Sequence, residues 1–479
     1  MTAVHVVHYL GATAQSQSVV ASIARDVAAE GGHVTVVDIS RTTTIVQGLP
    51  SRRWAKLFGQ EVFTDAFAKI LDDLGIEVTS LPRHKETVKI ADKHEEALQQ
   101  ALESEMLTYF RLDHIPASRE AQVLEKKLRA AMLETYSSLT AWWSANPPNR
   151  VLIPNGRTSR QKAARLVAEE LGIEIRLYEN GRAQPHSYYL GRTQPHDRVS
   201  SQSELREGFP LPQGAELARV ANTWLRNRMS GEGGTNSFSE HWDAPVTDHV
   251  GESTQATAVF FASSFDEFRA FGPMWNIDQW SHQFEAFDHM MSLLEAKGVR
   301  LVLRLHPNLG SKSRTYFLRE VRDVLELKAR HPTLTIHWHN EATNSYDLVK
   351  SAQYVIVERS TIGLEASAMG KPVWVTQASQ WDAVADIRQV LCPADITAET
   401  MELWEPSPAG AQQFVAYWMA QENPLHYSWD RWATWNPDKA PPWLKAAQLT
   451  LPNSWRHKKR LLSIEWSKWR NARFAPPVK

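Results

Sequence analysis

The sequence predicts an α/β protein with two doubly wound, Rossmann-like parallel sheets, and three observations support that prediction. Short β-branched, apolar runs alternate with segments in which apolar residues recur at helical spacing. Such alternation is typical of parallel sheets whose strands are joined by crossover helices. A stretch rich in Gly, Ser, Thr, Asn and Asp, inside residues 229–255, separates two such series. The length of 479 residues suits two or three domains with separate cores.

The first series opens with a βαβ unit. Strands are predicted at residues 4–10, 33–39, 151–154 and 174–178, and helices at 16–30, 61–74, 92–112, 118–133, 159–171 and 218–228. The three spaced glycines of a dinucleotide-binding fingerprint are missing after the first strand, which argues against an NAD site.

Polar residues follow two successive strands of this first series. Asn155-Gly-Arg157 comes after one strand and Glu179-Asn-Gly181 after the next. The carboxyl ends of neighbouring parallel strands meet at one sheet edge, where ligands bind. Turn chemistry explains the glycines, and Glu179 is the candidate for function. His186 and His196, in two Gln-Pro-His repeats downstream, lack zinc-site spacing and are expected to be ordinary loop residues.

The second series repeats the β-α order. Strands are predicted at residues 258–261, 300–305, 334–338, 354–357 and 373–375, and helices at 280–297, 315–330, 345–350 and 362–369. Beyond Cys392 the pattern becomes helical and rich in Trp. The expected organisation is a first domain at 1–228, a linker at 229–255, a second domain at 256–395 and a helical segment at 396–479 that braces the first domain.

One helix start in the second series has the features of an anion site. Ser360 and Thr361 follow a strand and stand where the next helix begins, so its unpaired N–H groups and positive dipole end suit a phosphate. Glu365, one turn later, is placed to accept hydrogen bonds from a ribose diol, and Gly363 would let a ligand approach the backbone. The alternative is an ordinary crossover with a capping hydroxyl and a solvated Glu365.

A histidine ends another strand of the same series. Residues 301–307 read Leu-Val-Leu-Arg-Leu-His-Pro, an apolar strand that runs directly into His306 and Pro307. Strand ends are where open α/β sheets place ligands, and Pro307 fixes the chain just after the histidine. His306 is therefore a second candidate for the same site.

The chain carries its motifs in a particular order: Asn155-Gly-Arg157, Glu179-Asn-Gly181, Arg304-Leu-His-Pro-Asn308, Asn344-Ser-Tyr-Asp-Leu348, Ser360-Thr-Ile-Gly-Leu-Glu-Ala366 and Gly370-Lys-Pro-Val373. Over about residues 151–376 this order and spacing resemble bacterial capsule and surface-polysaccharide glycosyltransferases. The resemblance implies the GT-B architecture, two Rossmann-like domains facing a cleft. It also implies transfer of a sugar from a nucleotide-activated donor to a glycan or lipid-linked acceptor.

The resemblance further implies roles for single residues. Ser360, Thr361 and nearby backbone N–H groups would hold the leaving phosphate, His306 would donate to it, and Glu365 would bind the ribose. Glu179 would deprotonate the acceptor; related families have an acidic pair there, but this chain has Glu-Asn. Such enzymes usually need no divalent metal, so no cofactor is expected. The remaining expected contacts are Ser263, Ser264, Arg304 and Lys312 on the donor side, and Asn155 and Arg157 on the acceptor side.

Three other functions remain open at this point. A non-hydrolysing nucleotide-sugar 2-epimerase shares the fold and a similar Gly-x-x-Glu-Ala helix, but it turns over the donor alone. A glycerophosphate-polymer transferase would use a CDP-alcohol. A catalytically silent binding module of a polysaccharide assembly complex would need none of the catalytic candidates.

Composition limits the partners and the location. A net charge of -1 gives no general attraction for nucleic acid or anionic lipid. A single cysteine, Cys392, excludes an internal disulfide and a multi-cysteine metal site. No signal peptide or apolar run long enough to span a membrane is evident, so a cytoplasmic location is expected. Basic residues mixed with Trp in residues 456–474 predict either peripheral contact with the inner face of the membrane or packing on the first domain.

Overall fold

The computed structural model describes residues 2–8, 14–39, 63–84, 88, 90–184, 186–230, 255–264, 268–275, 279–427, 466 and 469–471. The strands of these residues are β1 Ala3–His8, β2 His33–Asp38, β3 Glu77–Ser80, β4 Arg150–Pro154, β5 Glu174–Asn180, β6 Ser187–Gly191, β7 Thr257–Phe261, β8 Arg300–Arg304, β9 Thr335–His337, β10 Tyr354–Val357, β11 Val373–Val375, β12 Arg388–Gln389 and β13 Glu422–Pro424.

The α-helices of the same residues are α1 Ala14–Ala29, α2 Phe63–Asp73, α3 Asp92–Phe110, α4 Arg119–Ala145, α5 Ser159–Glu170, α6 Arg198–Arg206, α7 Gly214–Met229, α8 Gln283–Ala296, α9 Arg314–Arg330, α10 Ser345–Ser351, α11 Thr361–Ala368 and α12 Ala409–Ala420. Their starts follow ordinary capping rules: the Ser118 hydroxyl accepts from Ala121 N–H before α4, and the Ser313 hydroxyl accepts from Tyr316 N–H before α9.

The first sheet has the spatial order β3-β2-β1-β4-β5-β6-β13. Strands β1 to β5 are parallel, whereas β6 and β13 are antiparallel additions at one edge. Alternate residues face two apolar layers, so Val6 and Leu152 pack on one face and Val7 and Ile153 on the other. Helices cover both faces, as a parallel sheet requires.

The second sheet has six parallel strands in the order β9-β8-β7-β10-β11-β12. This is the 3-2-1-4-5-6 order of a doubly wound domain, and its direction reverses between β7 and β10. The predicted fold class, two doubly wound α/β domains, is confirmed. In each sheet a ligand site is therefore expected at the switch point, β1/β4 in the first and β7/β10 in the second.

Two helices pack on the second sheet although the expected boundaries place them elsewhere. Trp224 and Leu225 of α7 and Phe414 and Val415 of α12 join the apolar cluster that contains Val259 of β7. The expected first domain extended to residue 228, and the expected brace of the first domain began at 396. Among the described residues after 396, the strand β13 joins the first sheet.

The sequence did not predict β3, α6, β6, β12 or β13. Strand β5 also extends further than predicted, through Asn180, so Glu179 is a strand residue and not part of a turn. Residues 231–254, which hold most of the expected linker, lie outside the described residues.

Candidate functional site

The first candidate site is a cavity of about 160 Å³ at the switch point of the second sheet. Its wall is built from the residues that follow β7, β8 and β10 and from the start of α10. The lining residues are Arg228, Phe261, Ala262, Arg304, Leu305, His306, Pro307, Asn344, Ser345, Tyr346, Ser360, Thr361, Ile362 and Glu365. The structure thus brings together His306, Ser360, Thr361 and Glu365, which the sequence had singled out.

His306 presents a hydrogen-bond donor at the end of β8. The backbone N–H of Asn308 donates to Nδ1 of His306 over 3.0 Å, which caps the short 3₁₀ helix Pro307–Ser311. Because Nδ1 accepts, neutral His306 carries its proton on Nε2. That proton suits a phosphate or other anionic oxygen in the cavity.

Ser360 and Thr361 stand at the start of α11, as predicted. Ser360 is the N-cap, but its hydroxyl forms no capping hydrogen bond to the helix. Thr361 is the first helical residue, and both side chains are partly exposed and line the cavity. The hydroxyls and the first N–H groups of α11 therefore form a surface suited to an anion.

Glu365 lies at the back of this cavity and is engaged by Arg228. Nη2 and Nε of Arg228 lie 2.9 and 3.0 Å from Oε1 of Glu365. Burial raises the pKa of the neighbouring Tyr346 hydroxyl, and the negative charge of Glu365 raises it further. Glu365 is thus a buried partner of an arginine from α7, and not the solvated carboxylate of an ordinary crossover.

Arg304 also lines the cavity, but its guanidinium is bonded to the protein. Nη1 donates to the carbonyl of Trp338 and Nη2 to that of Glu341, 3.3 Å away. Burial lowers the pKa of Arg304 to about 10. These hydrogen bonds hold the chain that follows β9. Arg304 therefore has a structural role in addition to the expected contact with the donor.

Ser263, Ser264 and Lys312 line a smaller adjoining cavity of about 10 Å³, which shares Ala262, Leu305 and His306 with the larger one. The two serine hydroxyls are buried and have no hydrogen-bond partner among the described residues. The backbone of Ser263 is held by Gln283, whose Oε1 accepts from the serine N–H at 2.8 Å. These serines line the smaller cavity and not the main one, whereas His306 lines both.

Gly363 does not line the cavity, in contrast to its expected role. A Cβ at this position would lie 2.7 Å from Cγ2 of Val357 and 2.9 Å from Cη2 of Trp381. The glycine is therefore explained by close packing of α11 on β10 and Trp381.

A second cavity, of about 220 Å³, lies at the switch point of the first sheet. Asn155, Arg157 and Glu179, the expected acceptor-side residues, all line it. It is completed by His8, Ser16, Val19, Pro154, Thr158, Gln161, Tyr178 and Asn180. Polar atoms buried here without a partner among the described residues are His8 Nε2, Asn155 Oδ1, Arg157 Nε and Gln161 Oε1.

The Glu179 carboxylate is the one acidic group in the described wall of this cavity. Nδ2 of Asn155 donates to its Oε2 over 3.0 Å, and Nε2 of His196 lies 3.6 Å from the same oxygen. Burial raises the pKa of Glu179, while Arg182 and Arg157 oppose that shift. A carboxylate with a raised pKa at a sheet edge is a candidate general base.

Arg157 also contacts the second domain. Its Nη1 donates to the carbonyl of Ala270 over 2.8 Å and to Ser104 Oγ over 2.7 Å, and its guanidinium lies 5.1 Å from the ring centre of Phe271. The residue expected on the acceptor side is therefore also part of the contact between the two domains.

Sequence reasoning missed Arg228 and His8. Arg228 had no visible signal, because its partner Glu365 is 137 residues away in the chain. His8 could have been noticed as a polar residue at the end of an apolar strand. Within the described ranges, no group of three or more His, Cys, Asp or Glu could hold a metal ion.

Comparisons with known proteins give structural likenesses alone. No family model matches the chain, and a search of curated proteins finds no match. The chain is similar to KpsC of Thermosulfurimonas dismutans, a beta Kdo 2,4 transferase, at 15% identity and a TM-score of 0.36, covering 57% of this chain and 80% of that one.

Two further solved structures cover more of the chain. UDP-GlcNAc 2-epimerase from Neisseria meningitidis, bound to UDP-GlcNAc, has 13% identity and a TM-score of 0.32, covering 87% and 94% of the two chains. The calicheamicin glycosyltransferase CalG4 has 14% identity and a TM-score of 0.26, covering 99% and 100%. At these scores the likeness adds no argument about function. The two sheets and their switch-point cavities define a two-domain, GT-B-like α/β protein.

Proposed function

We propose that this protein is a glycosyltransferase of capsule or surface-polysaccharide synthesis, which moves a sugar from a nucleotide-activated donor to a glycan or lipid-linked acceptor. The observation that supports the proposal most is the cavity at the β7/β10 switch point. There the Nε2–H of His306, the hydroxyls of Ser360 and Thr361, and the start of α11 line one space.

The donor nucleotide would lie in this second-domain cavity. A departing nucleotide gains negative charge in the transition state, and donors already fixed in place stabilise that charge most. His306 and the start of α11 are such donors. Glu365 is the one carboxylate in the described wall of this cavity and would accept hydrogen bonds from the ribose, with Arg228 holding it in position.

The acceptor would enter the first-domain cavity, where Glu179 removes the proton from the attacking hydroxyl. Its raised pKa brings the carboxylate closer to the pH at which a general base is most effective. Asn155 holds one carboxylate oxygen by a hydrogen bond, which fixes the direction of the other. No metal is assigned to the reaction, since helix N–H groups and side chains would stabilise the leaving phosphate.

The test begins with nucleotide binding. A thermal-shift panel of CMP, CDP, UDP and GDP should contain at least one ligand that stabilises the protein, by about 2.7 kcal/mol at a hundred times its dissociation constant. The variant His306→Asn should lose most of that stabilisation. If no nucleotide stabilises the wild-type protein, the donor site is wrong.

Turnover then separates a transferase from an epimerase. The nucleotide sugar is incubated with the protein alone and with a mixture of glycan acceptors. A transferase releases nucleotide in step with a glycosylated product, and an epimerase converts the donor without any acceptor. Conversion of the donor alone, at the same rate with and without acceptor, would overturn the transferase proposal and favour the epimerase.

We expect the protein to act at the inner face of the cell membrane, where lipid-linked acceptors are made. The described helices include none long and apolar enough to cross a membrane.

A further inference from the structure

His196 lies between the two domains, and its contacts determine which ring nitrogen carries the proton. Nη1 of Arg182 is 2.9 Å from Nδ1 of His196. An arginine only donates, so Nδ1 of His196 must accept. The neutral ring therefore carries its proton on Nε2.

That Nε2–H faces the Glu179 carboxylate. Nε2 lies 3.6 Å from Oε2, just beyond a direct hydrogen bond, and Asn155 donates to the same oxygen at 3.0 Å. Both contacts fall on Oε2 and neither involves Oε1. Oε1 is then the oxygen that would receive a proton from an acceptor hydroxyl.

The surroundings keep the His196 ring neutral. Burial lowers its pKa well below the usual range, and the charges of Arg182 and Arg157 act in the same direction. Among the described residues, the charges that shift the pKa values of Glu179 and His196 are those of Arg182 and Arg157, both on the first domain. A neutral ring directs its Nε2–H toward the carboxylate over the whole range in which Glu179 is ionised.

The opposite side of His196 rests on the second domain. Its ring stacks on Phe271 with ring centres 4.1 Å apart and planes 16° apart. Nε1 of Trp275 donates to the His196 carbonyl over 2.9 Å. The Trp275 carbonyl in turn accepts from Nη1 of Arg359 over 2.7 Å, and Arg359 immediately precedes Ser360.

We infer that His196 is a positioning residue, which orients the Glu179 carboxylate through its Nε2–H while residues 271–275 of the second domain hold its ring and carbonyl. The contact links the start of α11, the expected phosphate site, to the expected base in the other domain. The inference rests on the proposed function for the role of Glu179 as base. The tautomer and its contacts stand independently of that role.

The first arm of the experiment needs no activity. Protein labelled with ¹⁵N in histidine is examined by two-dimensional NMR between pH 5 and 8, and the His196 signals are identified by their loss in His196→Gln. The expected result is a neutral ring protonated on Nε2 at every pH. A His196 ring that is protonated on Nδ1, or that titrates near pH 6.5, would overturn the inference.

The second arm measures turnover with the cognate donor and acceptor. His196→Phe keeps the stacking on Phe271 and the carbonyl that Trp275 contacts, but removes the Nε2–H together with the Nδ1 that accepts from Arg182. Loss of that donor raises the pKa of Glu179, so the acid limb of the kcat profile should move up by about one pH unit, with donor KM unchanged. His196→Gln, which restores an N–H near Nε2, should recover the wild-type profile.

A matched control and the domain contact complete the test. His186→Asn alters the histidine of the other Gln-Pro-His repeat and should leave the profile unchanged. Trp275→Phe removes the indole N–H that donates to the His196 carbonyl and should move the acid limb in the same direction as His196→Phe. Identical profiles for wild type, His196→Phe and Trp275→Phe would overturn the inference, whereas absence of any turnover alongside the expected NMR result would reject the proposed function alone.

Discussion

Arg228 and Glu365 form a buried ion pair at the back of the second-domain cavity, with Nη2 of Arg228 2.9 Å from Oε1 of Glu365 and side chains 12% and 2% exposed. Arg228 lies in the last turn of α7, and Glu365 belongs to α11. Removing one partner of a buried ion pair leaves the other charge buried and uncompensated. The pair therefore ties the end of α7 to the helix that starts the expected phosphate site.

Breaking this pair should cost stability. We expect Arg228→Met to lower the free energy of unfolding by about 3 to 5 kcal/mol, because it leaves Glu365 charged, buried and without its arginine. The double variant Arg228→Met with Glu365→Leu should recover most of the loss, since no buried charge remains. Urea denaturation of the wild type, both single variants and the double variant measures this. Additive effects in the double variant would show that the two side chains are not coupled.

The donor side can be tested without disturbing the fold. His306→Asn keeps an acceptor for the Asn308 N–H but removes the Nε2–H, and Ser360→Ala removes a hydroxyl that caps nothing. Each should weaken nucleotide binding by about 1.5 to 3 kcal/mol, the usual contribution of a hydrogen bond to a charged group, without changing stability. Isothermal titration calorimetry measures the affinity, with the exposed Ser203→Ala as control. Unchanged affinity in both variants would remove these residues from the site.

Glu179→Gln should separate binding from chemistry. Loss of a general base lowers kcat by about 10²–10⁴-fold and leaves nucleotide affinity near normal. Because burial raises the pKa of Glu179, wild-type kcat should fall as the pH drops through that raised pKa, at a higher pH than for an ordinary glutamate. The Glu179→Gln variant should lack this limb. Equal losses of affinity and rate would instead indicate a structural carboxylate.

Local patterns predicted most of the strands and helices of the two sheets and the residues at the start of α11, because each of these depends on residues close in sequence. The strand Tyr354–Val357 and its following helix start were predicted almost to the residue. The partner of Glu365 could not be predicted, because it comes from a helix that the chain leaves long before it reaches α11. The orientation of the His196 ring could not be predicted either, because its contacts with Arg182 and Phe271 form only in the folded protein.

Close packing explains the glycine at position 363, although the sequence suggested that Gly363 contacts a ligand. A Cβ there would lie within 3 Å of Val357 and Trp381, which the tightly packed β10–α11 contact cannot absorb without a shift. Gly363→Ala should therefore lower the free energy of unfolding by about 1 to 3 kcal/mol, the usual cost of overpacking. Pairing it with Trp381→Leu should recover part of this. A variant with full stability but weaker nucleotide binding would favour the ligand role instead.

The C-terminal tail provides the last prediction. Trp466 and Trp469 are 55% and 51% exposed, and the Arg470 guanidinium lies 4.3 Å from the Trp466 ring centre. Neighbouring Asn471 is buried against the second domain, where Nδ2 donates to the Lys312 carbonyl over 3.1 Å and Oδ1 accepts from Arg314 over 3.0 Å. A truncation near Ser454 would remove these contacts together with the tryptophans, so substitution is the cleaner test.

Exposed Trp beside basic residues suits an anionic membrane surface. We expect the wild type to sediment with anionic vesicles at low salt, with about 1 kcal/mol contributed by each basic residue near the surface, and to be released at high salt. Trp466→Ser with Trp469→Ser should sediment less at equal stability. The double variant Leu318→Ser with Leu403→Ser, which removes two similarly exposed apolar side chains elsewhere, should sediment like the wild type. Equal sedimentation of all three proteins, or none by any of them, would remove the membrane role and leave Asn471 as the tail's anchor to the second domain.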